Sequence, residues 1–383
     1  MTQHPIYLDN NATTPVDPRV LDVMHRCWQS GFANPGSQHS YGRAARTILE
    51  DSREQIAAIL DADPSELIFT SGGTESLNAA VYGFTTGRRG RLALTAGEHP
   101  AMREACLRAA ASGITLHDIP VTSSGLLDPT ALATLPWPEL RLVGLILAHN
   151  ETGLIQDTTQ LAELCQTHRV PLLIDAVQAI GKIDFSFRKS RASAVAFGAH
   201  KFHGPRGIGG LLLQRGLRIP GMLLGGHQES DRRAGTEPVP LIAGMAAALK
   251  FWHDERLQRQ QTVAHLRNLL EAGLAELCPP IVIHSSHAPR LPNTLNVAFP
   301  GVSGEALLIN LHLAGIACSL GSTCASGSVE PAPVLLAMGL PEDLCLSSVR
   351  FSLSYQNTEQ EVLTALPQIA AAVARLRKGE PRP

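Results

Sequence analysis

Seven short apolar runs, with helix-like segments between several of them, constrain this chain more than any other feature. They are ELIFT (66–70), RLALT (91–95), ITLHDIP (114–120), LRLVGLILAHN (140–150), VPLLIDA (170–176), SAVAFGAH (193–200) and GIGGLLLQ (207–214). Helical spacing marks GTESLNAAVYGF (73–84), HPAMREACLRAAAS (99–112) and TTQLAELCQTHR (158–169). Such alternation predicts βαβ units, and so an α/β fold with a mainly parallel seven-stranded sheet covered on both faces. The unbroken apolar stretch at 172–174 fits a strand buried on both sides.

After Pro240 the pattern changes. Residues 241–277 are apolar at helical spacing and stop before Pro279, long enough to bridge two domains. Short strands around 293–300 and 347–354, with helices near 304–314, 331–339 and 358–376, read as a smaller α+β unit. The expected division is a large domain over 14–255 and a small one from 1–13 and 256–383. At 383 residues and 44% hydrophobic, the chain can fill two such cores. A net charge of −2 offers no bulk attraction to nucleic acid or a membrane surface. No apolar run approaches the ~20 residues of a membrane span, and MTQHPIYLDN lacks a signal-peptide pattern. The expectation is a cytoplasmic protein. Seven scattered cysteines without a CxxC pair argue against a structural zinc site, and no metal is expected.

In open parallel sheets ligands bind beyond the carboxyl ends of the strands, so the polar residues there are the candidates. SGGTES (71–76) follows the first run, and its glycines and the helix start behind them suit a phosphate, with Gly73 and Thr74 as donors. Taken alone it reads more readily as an ordinary capped helix start. His99 opens the segment after 91–95, as a cap or as a functional ring. Asn150 follows the fourth run, and Asp175 ends the fifth, with Gln178 close behind. An acid at such a position needs a cationic partner or caps the next helix. Lys201, preceded by His200, ends the sixth run and is one of only five lysines. There, desolvation and neighbouring cations lower an amine's pKa and make it a nucleophile toward an aldehyde. Lys182 is the rival, in a loop without the strand-then-glycine context. A phosphate cradle, a ring-nitrogen acid, a flat side chain and an amine together describe a pyridoxal-phosphate site.

With these residues in place, the chain resembles the cysteine desulfurases, fold-type I pyridoxal-phosphate enzymes of the class V aminotransferase group. The likeness runs through YLDNNATTPVDP (7–18), NPGSQHSYGRAAR (34–46), SGGTESLN (71–78), EHPA (98–101), NETG (150–153) and DAVQAIGK (175–182). It continues in AHKFHGPRGIGG (199–210), RRAGTEP (232–238), GSTCASGSVEPAPVLLAMGL (321–340) and VRFSLS (349–354). The resemblance implies that Lys201 carries the cofactor covalently, His99 stacks on its ring, Asp175 pairs with the ring nitrogen and Gln178 bonds the ring oxygen. Gly73, Thr74 and His200 would contact the phosphate, as would Thr236 across a homodimer interface. Asn150 and Arg350 would hold the substrate carboxylate. One departure stands out: Gly198 occupies a position where the family commonly has a phosphate-donating Ser.

Cys324 lies among Gly321, Ser322, Ser326, Gly327 and Ser328, residues too small to pack a core, so a mobile surface loop is expected. Cys27, Cys106 and Cys165 sit in apolar helical patterns that fit buried, inert thiols, and Cys318 reads as a strand end. The implied reaction turns L-cysteine into L-alanine, with Lys201 moving the α-proton and Cys324 taking the sulfur as a persulfide. A sulfur-acceptor protein would then receive it, and the long loop resembles the iron–sulfur-assembly and nitrogen-fixation subgroup. The competing readings are an aminotransferase or lyase of the same fold, and a sulfur-assembly scaffold without turnover.

Overall fold

The computed structural model describes residues 5–111, 113–320, 322–323 and 330–379. The seven runs become seven strands of one sheet: β1 (Leu67–Thr70), β2 (Gly90–Thr95), β3 (Ile114–Ile119), β4 (Leu140–Ile146), β5 (Leu172–Asp175), β6 (Ala194–Gly198) and β7 (Gly209–Leu213). Their order is β1-β7-β6-β5-β4-β2-β3. Strands β2 to β6 pair in parallel, whereas β7 runs against both β1 and β6. The reversal follows from chain length. Residues 199–208, between β6 and β7, are too few for the crossover that parallel neighbours require. Every residue of β1, β5, β6 and β7 is buried, as strands covered on both faces should be.

The helices on those faces start where local chemistry allows. Asp17 caps Pro18–Ser30 by accepting from the Arg19 amide, and His99 caps Pro100–Ala110 by accepting from the Ala101 amide. Gly73–Thr85 starts without any side-chain cap. The long helix is Val239–Leu277, 39 residues, about 58 Å at 1.5 Å per residue. Its first half (Ile242, Met245, Leu249, Trp252) belongs to the core around the large sheet. Its second half (Val263, Leu266, Leu270, Leu274) belongs to a separate core with Ile6, Leu8, Leu295, Val297, Phe351 and Ile369. That second core is built on an antiparallel sheet ordered Ser319–Leu320, Ser348–Ser352, Thr294–Ala298, Val282–Ile283. The helix thus joins the two cores, as its spacing suggested. Ile6–Tyr7 pairs in parallel with Ile316–Ala317, which draws the segment after it across the carboxyl edge of the large sheet. No helix among the described residues is long and apolar enough to cross a membrane.

Candidate active site

Lys201 closes a short 3-10 turn immediately after β6. Its Nζ donates to the carbonyl oxygens of Asn11 (2.6 Å) and Ala12 (2.9 Å). Burial pulls its pKa down to about 8, and the Arg350 charge adds to this, against the opposing carboxylates of Asp175, Asp9 and Glu151. The amine is therefore much closer to its neutral form at physiological pH than a solvated lysine.

Asp175 is the last residue of β5 and 3% exposed. Burial pushes its carboxyl up to about 6, against the Val177 amide and the Lys201 charge. Oδ1 accepts from that amide at 2.9 Å, while Oδ2 has no protein donor among the described residues. His99 caps its helix through Nδ1, 3.1 Å from the Ala101 amide, so the capping alternative holds. It also feels the cleft: burial brings it down to about 4, with the Lys201 charge second, so the ring is neutral. Glu98 beside it is buried, accepts from the Ile146 amide at 2.6 Å and from Thr95, and burial raises it to about 8. The sequence reading gave Glu98 no role.

The uncapped helix at Gly73 faces this group. A Cβ on Gly73 would lie 2.4 Å from Val177 Cγ2, so only glycine lets the helix start approach the Asp175 loop this closely. A Cβ on Gly198 would lie 3.3 Å from the Gly73 amide nitrogen, and one on Gly209 2.6 Å from Gly72 Cα. Three glycine segments thus open backbone space around free helical amides, which suits an anion. Glu75, the acid in this first turn, is tied to Arg233 at 2.9 Å. His200 meets Thr13 Oγ1 at 3.2 Å, and burial lowers it to about 4. Thr74 and Thr236 are both exposed, and the single chain joins Thr236 to none of the other candidates by a side-chain hydrogen bond among the described residues. Cys324 lies outside the described residues.

Arg350, from the Ser348–Ser352 strand, reaches back toward the large sheet and is 5% exposed. Its Nη1 donates to the Asn150 carbonyl (3.2 Å) and Glu151 Oε1 (3.0 Å), and Nη2 to Asp9 Oδ1 (2.8 Å). Asn11, which had no predicted role, and Lys182, the rival lysine, prove central. Asn11 Nδ2 donates to the Asn150 carbonyl (3.0 Å) and its Oδ1 accepts from Lys182 Nζ (2.7 Å). Gln178 donates to the Asn11 carbonyl at 2.8 Å and accepts from Lys182. Lys182 is more buried than a loop lysine should be, and burial holds its amine well below the usual lysine range. A hint of Asn11 was present in the doubled Asn of LDNNATT, placed just after a short strand. Cys27, Cys106 and Cys165 are buried as expected, and burial pushes the Cys318 thiol up to about 12.

The residues present fit a phosphorylated, nitrogen-containing aromatic ring: free amides at one end, a buried acid with a spare oxygen at the other, and an activated amine beside it. The aminotransferase class-V family model matches residues 6–364. A cysteine desulfurase of Enterobacter agglomerans is 40% identical over 98% of this chain and 94% of its own length. The cysteine desulfurase NifS of Azotobacter vinelandii is 38% identical over 98% and 94%. Among solved structures, a NifS-like protein superposes with a TM-score of 0.90 at 34% identity, over 97% of this chain and 100% of that one. SspA in complex with cysteine superposes at 0.82 and 27% identity, over 92% and 100%. Likeness of sequence and of fold over nearly the whole length therefore agree that this chain belongs to the aminotransferase class-V family, among its cysteine desulfurases.

Proposed function

We propose that the chain is a pyridoxal-phosphate-dependent cysteine desulfurase that converts L-cysteine to L-alanine and takes the sulfur onto Cys324. The observation that carries this reading is the pairing of a half-buried, low-pKa Lys201 with a buried Asp175 whose Oδ2 has no donor among the described residues. Bound here, the cofactor would supply an electron sink for the charge left on the substrate's α-carbon. Asp175 would hold the ring nitrogen protonated, His99 would cover the ring face, and Gln178 would lie near the ring oxygen. The amides of Gly73 and Thr74, with His200, would hold the phosphate, and Thr236 of a second copy would complete that cradle in a homodimer. Gly198 brings no hydroxyl to it. Lys201 supplies the anchoring amine and, as a base, moves the α-proton. Asn150 and Arg350 orient the substrate carboxylate.

Cys324 takes the substrate sulfur as the C–S bond breaks, the thiol becoming a persulfide and cysteine becoming alanine, with no outside oxidant. Cys318 lies near Arg350 but is held protonated by burial, which makes it a poor nucleophile. A sulfur-acceptor protein, such as an iron–sulfur scaffold, would then remove the sulfur in the cytoplasm. The same reading keeps the division into a 14–255 domain and a 1–13 plus 256–383 domain. The test is sulfide and alanine release from L-cysteine. Cys324→Ala should keep cofactor colour and lose sulfide release, Cys318→Ala should keep both, and Lys201→Ala should lose turnover. Full activity in Cys324→Ala or in Lys201→Ala would overturn the reading.

A further inference from the structure

The two side chains assigned to the substrate's carboxylate already share one within the chain. Glu151 Oε1 accepts from Asn150 Nδ2 at 2.6 Å and from Arg350 Nη1 at 3.0 Å. One carboxylate oxygen therefore ties both donors together, in the place an amino-acid carboxylate would need. Asp9 takes the other arm of Arg350 at 2.8 Å but has no bond to Asn150, so among the described residues Glu151 alone bridges the pair. The match is incomplete. Arg350 Nε and Glu151 Oε2 are buried and without a partner among the described residues. A guanidinium satisfies a carboxylate best through two parallel N–H···O bonds, and Glu151 makes only one, leaving a donor and an acceptor over. Both side chains are deep, with 6% and 12% of their surface exposed, so water compensates little.

We propose that Glu151 is an internal stand-in for the substrate's α-carboxylate. Its Oε1 holds Asn150 and Arg350 in position before substrate arrives, then competes with the incoming carboxylate for the same donors. It thereby sets how tightly amino-acid carboxylates bind. Glu151 is a positioning and specificity residue, not a catalytic one. The proposal rests on the reading that Asn150 and Arg350 receive the substrate carboxylate. Burial makes the displacement feasible, because it already disfavours the Glu151 anion, with Arg350 the main opposing influence. Glutamine at 151 would keep an oxygen acceptor between the two donors while removing the competing charge.

The experiment is calorimetric titration of the cofactor-loaded full-length protein with two probes of equal length. These are 3-mercaptopropionate, which has the carboxylate, and 3-mercaptopropionamide, which does not. Glu151→Gln should bind the carboxylate roughly ten-fold tighter, the effect of removing one nearby like charge, with amide affinity unchanged. Glu151→Asp keeps the charge but withdraws it from both donors, so it should show a smaller gain in the same direction, and it serves if Glu151→Gln does not fold. Unchanged or weaker carboxylate binding in the folded variants, with Arg350→Ala still weakening it, would overturn the proposal and leave the carboxylate-site reading standing. Equal losses for acid and amide would also overturn it, since they mark a merely structural role. Carboxylate binding that survives Arg350→Ala would instead remove the reading beneath it, and the proposal with it.

Discussion

Lys201 concentrates the proposed chemistry in one nitrogen. Burial, with Arg350 in support, lowers its pKa from the ordinary 10.5 to about 8. The neutral, nucleophilic fraction therefore grows as pH rises through about 8. Acylation of Lys201 by an amine reagent in the cofactor-free protein, followed by mass spectrometry, should show a midpoint near pH 8. A midpoint near the ordinary solvated-lysine value of about 10.4 would contradict the burial argument. Lys201, Asp175 and His99 were legible in the sequence because each stands at the end of an apolar run, where an α/β sheet opens to ligand. Asn11 and Glu151 were not, and Lys182 was visible only as a rival, because their importance lies in contacts with distant residues. Asn11 receives Lys201 Nζ from 190 positions away, and Arg350 meets Glu151 across 199. Local pattern has no access to such pairs.

At the scale of elements, the site depends on how closely the Gly73–Thr85 helix approaches the loop after β5. Gly73→Ala would place a methyl 2.4 Å from Val177 Cγ2. Helix propensity favours alanine by up to about 1 kcal/mol, but overpacking of this kind costs about 1–3 kcal/mol, so the clash wins. Urea unfolding should show Gly73→Ala destabilised, and absorbance titration should show weaker cofactor binding. Val177→Ala in the same chain should recover much of both. If Gly73→Ala is as stable as the parent and binds cofactor equally, the close-approach argument is wrong. The glycines of SGGTES were visible in the sequence, but the partner that forbids a side chain at 73 was not. β7 differs: its strand character was plain from its apolar run, and its reversed direction follows from a connection too short to cross over.

For the whole molecule, Asp17 is one polar tie between the parts. It accepts from Arg19 at 2.7 Å, from Tyr355 Oη at 2.7 Å and from Arg259 on the long helix at 3.5 Å, with Arg259 also stacked 3.8 Å over the Tyr355 ring. Burial would raise its pKa, but the Arg19 and Tyr355 bonds outweigh that and hold it well below the usual carboxylate range. A group depressed in this way stabilises the fold above its unfolded pKa of about 4, and that stability drains away as pH falls below it. Asp17→Asn should therefore lower the urea midpoint at pH 7 and flatten its decline between about pH 4 and pH 2. An unchanged slope would show that Asp17 is not part of the acid response. Read along the chain, periodicity and turn chemistry were enough for the α/β class, the seven strands, the bridging helix and the candidate lysine at a strand end, because each is written in local pattern. Which carboxylate faces which cation and which glycine is packed against which side chain were settled only on folding. Those depend on distances between segments far apart in the chain, and no local pattern records them.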